Sequence, residues 1–294
     1  MSIRGLIYRG ETQFLNNDTR SSAPGNFIDL PDGSVHYELA GSPAAHTVVL
    51  VPGFSVPYAI WDPTFNALIE AGFHVLRFDL YGRGYSDRPD IHYNQDLFDR
   101  QLINLLDALA ISERIDLVGL SLGGAISVIF ADRHPERISK LCLIDPAGLP
   151  WPQSLPARLG KTPIFGELIM GLLGDKVLIS NLADDFFSDE EYAELKEEFL
   201  LQMQFIGFKK SLLSTLRSGV TTGAEQAYLS VGKRNLPAML IWGREDQVVP
   251  FELSNKVIEL IPKIEFHPID DAAHIPHYEC PETVNPLLIE FLRS

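Results

Sequence analysis

Short apolar runs, bounded by glycine, proline or polar residues, recur along most of the chain. Six runs have the length of buried strands: residues 46–53, 73–80, 114–120, 139–145, 237–243 and 263–269. Between the second and third runs, apolar residues recur at helical spacing and form one face: Leu97, Phe98, Leu102, Leu105, Leu106 and Leu109. Residues 122–133 and 251–261 are also predicted to be helices. Strands that alternate with helices predict βαβ units, and hence a mostly parallel sheet covered on both faces.

Two further runs precede the alternating pattern. Residues 26–31 and 34–40 flank Asp32-Gly33, a dipeptide that favours a tight hairpin turn. They predict an antiparallel hairpin at the sheet edge, which brings the sheet to about eight strands. Residues 1–25 are polar and are expected to form a loose N-terminal arm.

The alternation stops between residues 149 and 233. This stretch opens with several prolines and then shows helical apolar stripes, one of which contains Phe165, Leu168, Ile169, Leu172 and Leu173. Ser188 and Glu191 have the spacing of a capping box. The pattern predicts an all-helical insertion, or lid, between strands six and seven. These two strands, counted from the hairpin, are the apolar runs 139–145 and 237–243. The predicted domains are the arm 1–25, the α/β core 26–148 and 234–294, and the lid 149–233.

Composition narrows the possible partners. The chain has 294 residues, 46% of them hydrophobic, and a formal net charge of −15. An anionic surface repels phosphate backbones, so no nucleic acid partner is expected. The sequence shows no signal-peptide pattern and no apolar stretch of about 18 residues, so no integral membrane segment is expected. Two cysteines form no disulfide framework, which favours a reducing, cytoplasmic compartment. A monomer or homodimer is expected.

The stretch Gly119-Leu120-Ser121-Leu122-Gly123 follows a predicted strand and precedes a predicted helix. That context is required of a nucleophile elbow, whose tight turn needs small residues two positions before and after the nucleophile. The alternative is a glycine turn whose serine caps the helix.

A serine hydroxyl needs a base to take its proton, usually a histidine held by a carboxylate. After the fifth of the six apolar runs the chain offers Asp246, which is preferred by position over Glu245. After the sixth run it offers His274. Asp246 could instead cap the next helix, and His274 could be an ordinary loop histidine. Asp145, after the fourth strand, is a second possible acid, although a turn-stabilising role is favoured.

Two backbone donors are needed for the oxyanion of the tetrahedral intermediate. The candidates are the N–H of Leu122, directly after the serine, and the N–H of Phe54, since Pro52 has no N–H and Gly53 lets the backbone approach closely. A simple Pro-Gly turn is the alternative. His277 follows His274 by three residues, but no third ligand with suitable spacing accompanies them, so no metal is expected. No organic cofactor is required either.

The chain resembles the α/β-hydrolase fold family, in the serine-nucleophile branch with a helical lid. The resemblance rests on residues 52–54, 79–87, 119–124, 243–250 and 272–279 and covers about residues 26–294. It implies hydrolysis through an acyl-enzyme, with substrate entering beneath the lid. Family members commonly have His-Gly before the oxyanion residue, where this chain has Pro52-Gly53.

The substrate is expected to be a small, hydrophobic carboxylic ester, such as a monoacylglycerol-like one. The predicted lid is rich in phenylalanine, and Trp151, Phe186 and Phe187 are candidates for the pocket wall. Two alternatives stay open. Carbon–carbon bond hydrolases of the meta-cleavage type are similar, but they usually have Asn and Trp where this chain has Leu120 and Ile275. The other alternative is a slow-turnover ligand receptor on the same fold.

Overall fold

A single sheet of eight strands forms the centre of the molecule. The computed structural model describes residues 8–152, 160–187 and 189–294, without the side chains of 189–194. The strands are β1 Asn26–Leu30, β2 Gly33–Ala40, β3 Thr47–Val51, β4 His74–Phe78, β5 Ile115–Leu120, β6 Ile138–Ile144, β7 Ala238–Gly243 and β8 Glu265–Ile269. Their spatial order is β1-β2-β4-β3-β5-β6-β7-β8. The pairs β1–β2 and β2–β4 are antiparallel and all the others are parallel. The predicted fold class, including the edge hairpin, is confirmed.

Helices cover both faces of this sheet. The described helices are α1 Asn17–Ser21, α2 Asp62–Glu70, α3 Gln95–Ala108, α4 Leu122–Arg133, α5 Phe165–Asp184, α6 Asp189–Gln202, α7 Phe208–Ser218, α8 Glu225–Gly232, α9 Leu253–Leu260, α10 Pro276–Glu279 and α11 Pro281–Arg293. The predicted apolar face of α3 is buried. Every residue of β5 is buried, so the strand leading to Ser121 lies in the centre of the core. Among the described helices, none combines the length and the apolar character needed to cross a bilayer.

The described residues between β6 and β7 form four helices, α5 to α8, hereafter called the helical segment. The apolar stripe of α5 faces outwards, since Phe165, Leu168 and Leu172 are 53–70% exposed. The capping box predicted at Ser188 and Glu191 lies outside the described residues.

The N-terminal arm is attached to the helical segment. The buried Glu11 carboxylate accepts the backbone N–H groups of Gly207 and Lys209 at 2.9 and 2.8 Å. Gln13 forms an isolated parallel bridge with Phe205. This differs from the loose arm expected from sequence, because polarity does not reveal that a carboxylate will meet unpaired amides at the start of a helix.

Candidate active site

Ser121 occupies a strained turn between β5 and α4. Its φ and ψ are 54° and −116°, a conformation that is uncommon for any residue except glycine. Two backbone bonds of 2.9 Å fix the turn: Ser121 N–H donates to the Ile144 carbonyl, and Ala147 N–H donates to the Ser121 carbonyl. The Ser121 side chain makes no capping bond to α4. The geometry therefore favours the elbow over the helix cap.

The glycines on either side of Ser121 are dictated by close backbone contacts. A Cβ placed at Gly119 would lie 2.4 Å from the Gly123 carbonyl oxygen, and one at Gly123 would lie 2.2 Å from the Val51 carbonyl oxygen. Any larger residue at these positions would force backbone apart. The turn also packs against the end of β3, which leads to the Pro52-Gly53 turn.

Replacing Gly123 by alanine is expected to lower the free energy of unfolding by about 3 kcal/mol, because the added methyl collides with rigid backbone. Gly160→Ala is the matched control, since nothing lies within 4 Å of a Cβ at Gly160. Its expected change is under about 0.5 kcal/mol. Urea unfolding of both variants measures the difference, and equal stabilities would contradict the proposed tightness of the elbow.

His274 and Asp246 form a buried pair. The Nδ1 atom of His274 lies 2.8 Å from Oδ2 of Asp246. The other Asp246 oxygen accepts the N–H groups of Val248 and Val249 at 2.8 and 3.0 Å. Asp246 precedes α9 by several residues and does not cap it, whereas Glu245 is exposed to solvent. The contact with Asp246 assigns the ring proton to Nδ1, which donates it to Oδ2, and leaves Nε2 as the acceptor nitrogen.

Asp145 lies beside this pair at the end of β6. It is fully buried, and a ligand-type atom of Asp145, Asp246 and His274 lies within 4.8 Å of each of the others. Oδ1 of Asp145 accepts the N–H of Gly243 at 2.9 Å, so the side chain joins two neighbouring strand ends rather than its own turn. Burial, with the nearby Asp246 charge, raises the pKa of Asp145 well above its usual range. Of the two carboxyls, Asp145 is the one whose burial favours the protonated form, whereas Asp246 is the one that holds His274.

The charges around His274 are predominantly acidic. Burial lowers the pKa of His274, but Asp246, Asp185 and Glu279 outweigh that effect, and the pKa is raised above its usual value. Burial also raises the pKa of Asp185 to about 7. Asp185 carried no sequence signal, because it belongs to the helical segment and lies far from His274 along the chain.

The helical segment is hydrogen-bonded to the loop that carries His274. The backbone N–H of His274 donates to the Asp185 carbonyl at 3.1 Å. The Glu279 carboxylate accepts the Ala273 N–H at 2.9 Å and also the Phe187 N–H. These contacts fix the histidine loop relative to the end of α5.

The turn that follows β3 faces Ser121. A Cβ placed at Gly53 would lie 3.7 Å from the Ser121 Cβ. Leu122 is the first residue of α4, so its N–H is among the amides that have no acceptor within the helix. The roles of Phe54 and Leu122 as oxyanion donors stay predictions, and this close approach supports them.

The other histidines have different partners. His277 is fully buried, its Nε2 lies 3.2 Å from the Ile60 carbonyl oxygen, and burial lowers its pKa to about 3. His36 pairs with Asp79 at 2.7 Å, a buried contact that the sequence did not reveal.

Among the described residues, acidic, Cys and His groups close enough to share a metal ion form one cluster, Asp145 with Asp246 and His274. In that cluster Asp246 and His274 already bond to each other.

The three predicted pocket residues have different environments. Trp151 is partly buried against the core. Phe186 is 9% exposed, and its ring meets Tyr278 edge-on. Phe187 is 55% exposed. Their contact with substrate stays a prediction.

The strand order and the strand–turn–helix unit at Ser121 are those of the α/β-hydrolase fold. The chain belongs to the α/β-hydrolase fold family, since residues 46–281 match the model described as alpha/beta hydrolase fold. It is 32% identical over 221 residues to the 2-hydroxymuconate semialdehyde hydrolase of Pseudomonas sp. (strain CF600), covering 74% of this chain and 76% of the relative. It is 28% identical over 217 residues to Lipase 3 of Moraxella sp. (strain TA144), covering 71% of this chain and 65% of the relative. A meta-cleavage product hydrolase from Pseudomonas fluorescens IP01, solved with acetates, aligns with a TM-score of 0.74 and 26% identity over 92% of this chain and 97% of that one.

Proposed function

We propose that this hydrolase cleaves carboxylic esters that have an uncharged, hydrophobic acyl group, through an acyl-enzyme on Ser121. The observation that carries the proposal is the strained serine elbow together with the buried His274–Asp246 pair, in the chain order expected of this fold. No metal or organic cofactor takes part in the proposed mechanism.

The proposed chemistry has two halves. In acylation, Ser121 Oγ attacks the ester carbonyl while His274 Nε2 takes its proton, and the Leu122 and Phe54 amides stabilise the oxyanion. Collapse of the intermediate breaks the ester C–O bond, and His274 protonates the departing alcohol. In deacylation, His274 takes a proton from water as the water oxygen attacks the acyl carbon. The bond from the acyl carbon to Ser121 Oγ then breaks, His274 returns its proton to Oγ, and the carboxylic acid leaves. Asp246 stabilises the imidazolium in both halves.

The helical segment is proposed to act as a lid over this site. Its contacts with the His274 loop and the predicted pocket role of Phe186 and Phe187 support that assignment. The apolar pocket wall predicted at Phe186 and Phe187 favours an apolar acyl group, because such a group gains most from hydrophobic contact.

The acidic surroundings of His274 support an uncharged substrate. Asp246, Asp185 and Glu279 all raise the pKa of His274, so an anionic acyl group would meet the same negative potential. Two further relatives, from Paraburkholderia phymatum and Cupriavidus pinatubonensis, are named as hydrolases of dienedioates and trienedioates. Such substrates carry two carboxylates, which this environment disfavours.

Neutral esters are therefore expected to be better substrates than anionic ones. We expect kcat/KM for p-nitrophenyl butyrate to exceed that for the p-nitrophenyl monoester of succinate by about 100-fold, which corresponds to roughly 3 kcal/mol. At pH 8, above the pKa of about 7 to which burial raises Asp185, the Asp185→Asn variant should narrow the ratio because it removes one of the opposing carboxylates. Equal rates on the two esters, or a preference for the anionic one, would contradict the proposed substrate class.

Carbon–carbon bond hydrolysis is the second candidate, favoured by the meta-cleavage relatives. The test is the rate at which a conjugated dienol is consumed, measured by its absorbance. A rate higher than that on any ester would replace the ester proposal by carbon–carbon bond hydrolysis. Ester turnover near background, combined with ligand-dependent movement of the helical segment, would instead favour the receptor alternative.

A further inference from the structure

Two buried side chains connect the helical segment to the turn that follows β3. Gln202, the last residue of α6, is 2% exposed. Its Nε2 donates to the Ser55 carbonyl at 2.6 Å, and its Oε1 accepts the Gly84 N–H at 2.8 Å. One side chain from the helical segment thus holds two loops of the core together.

Arg83 provides a second connection to the same turn. It is fully buried, and Nε donates to the Phe54 carbonyl at 2.7 Å. Nη2 donates to Oγ1 of Thr215 on α7 at 3.0 Å, and Nη1 donates to the Tyr81 carbonyl at 3.1 Å. All three acceptors are neutral oxygens. Within the part of the chain that the structure describes, no carboxylate pairs with Arg83, so the cost of burying its charge is offset by these three bonds and by the Phe54 and Phe98 rings at 5.4 and 5.7 Å.

Both connections end on consecutive carbonyls. Phe54 O and Ser55 O belong to the two peptide groups that directly follow the proposed oxyanion donor, the Phe54 N–H. Because each peptide group is planar, only the φ and ψ torsions of Phe54 separate its anchored carbonyl from its N–H.

We propose that Gln202 and Arg83 are positioning residues, through which the seating of the helical segment on the core orients the oxyanion donor at Phe54. The inference rests on the proposed function and deepens it. The enzyme then hydrolyses its substrate only when the helical segment is packed on the core. The reason is that donors act on the oxyanion only within a narrow range of distance and direction.

The test compares two glutamines of the helical segment. Gln202→Met keeps the side-chain length but removes both bonds to the core. Gln204→Met is the matched control, because the side chain of Gln204 accepts from Gln13 of the arm at 2.8 Å and does not bond to the turn. Thr215→Val is a second, near-isosteric variant that removes the acceptor of Arg83 Nη2 and does not depend on the folding of Gln202→Met.

We expect Gln202→Met and Thr215→Val to lower kcat on p-nitrophenyl butyrate by about 10- to 100-fold, with KM changed by less than about threefold, while Gln204→Met keeps wild-type rates. The inhibition constant of a trifluoromethyl ketone, whose adduct with serine is an oxyanion, should rise in parallel with the fall in kcat/KM. A role in stability alone would lower the melting temperature and leave both readouts unchanged.

The outcomes separate the two proposals. If the wild type neither hydrolyses esters nor is labelled at Ser121 by a fluorophosphonate, the proposed function is wrong. If the wild type does both, and Gln202→Met and Thr215→Val match Gln204→Met in kcat and in inhibitor affinity, the positioning role is wrong and the function stands.

Discussion

Replacing Ser121 by alanine is expected to lower kcat on p-nitrophenyl butyrate by a factor on the order of 10⁵, because no nucleophile remains to form the acyl-enzyme. The residual rate would come from binding and the oxyanion donors alone. Stopped-flow or long-time-course assays at saturating ester measure the loss, and mass spectrometry after fluorophosphonate treatment should show no label in the variant.

The matched control is Ser127→Ala, the same change further along α4. Ser127 is fully buried on α4, and its side chain has no part in the proposed chemistry. Its kcat should remain within about threefold of wild type. Turnover by Ser121→Ala at the wild-type rate would overturn the acyl-enzyme mechanism, whatever the substrate proves to be.

Replacing Asp246 by asparagine is expected to lower kcat by about 10⁴-fold, because the imidazole loses both its orienting acceptor and the charge that stabilises imidazolium. The pH profile should change as well. Asp246 raises the pKa of His274, and the base works only when neutral, so the wild-type acid limb of kcat/KM should lie above pH 6.5, the ordinary histidine value. Without Asp246 the histidine pKa falls, and the limb should move to lower pH.

Asp116→Asn provides the control for this change. Asp116 is a fully buried acid near the start of β5, and its Oδ1 lies 3.0 Å from His46 Nε2, so the variant alters a second His–Asp pair at the opposite end of the strand from Ser121. Its pH profile should match that of wild type. An Asp246→Asn enzyme with an unshifted acid limb would mean that another group holds His274, and Asp145→Asn would then be the variant to examine.

The elements that the sequence predicts best are those whose signal is local. The alternation of β5, α4 and β6 follows from apolar runs and glycines that are read within a few residues. The elbow at Ser121 follows in the same way, because Gly119 and Gly123 are small for contacts made inside one turn. Asp246 and His274 could be predicted because the carboxyl ends of parallel strands meet at one edge of the sheet.

The contacts that the sequence does not reveal join distant parts of the chain. Arg83 and Thr215 are 132 positions apart, and Gly84 and Gln202 are 118 apart. No sequence periodicity encodes such pairs, and neither Arg83 nor Gln202 belongs to a familiar catalytic pattern. Asp145 illustrates a different difficulty. Its position was evident, but its raised pKa depends on complete burial beside Asp246, which only three-dimensional packing decides.

The attachment of the arm also constrains the order of events during synthesis. Glu11 leaves the ribosome early, yet the amides that it accepts lie 196 and 198 positions further along the chain. The contact of Glu11 with these amides forms only after Lys209 has been synthesised, although other residues of the arm meet earlier partners, such as Arg20 with Asp87. A nascent chain paused before Gly207 would leave Glu11 exposed to solvent, whereas the finished protein buries it.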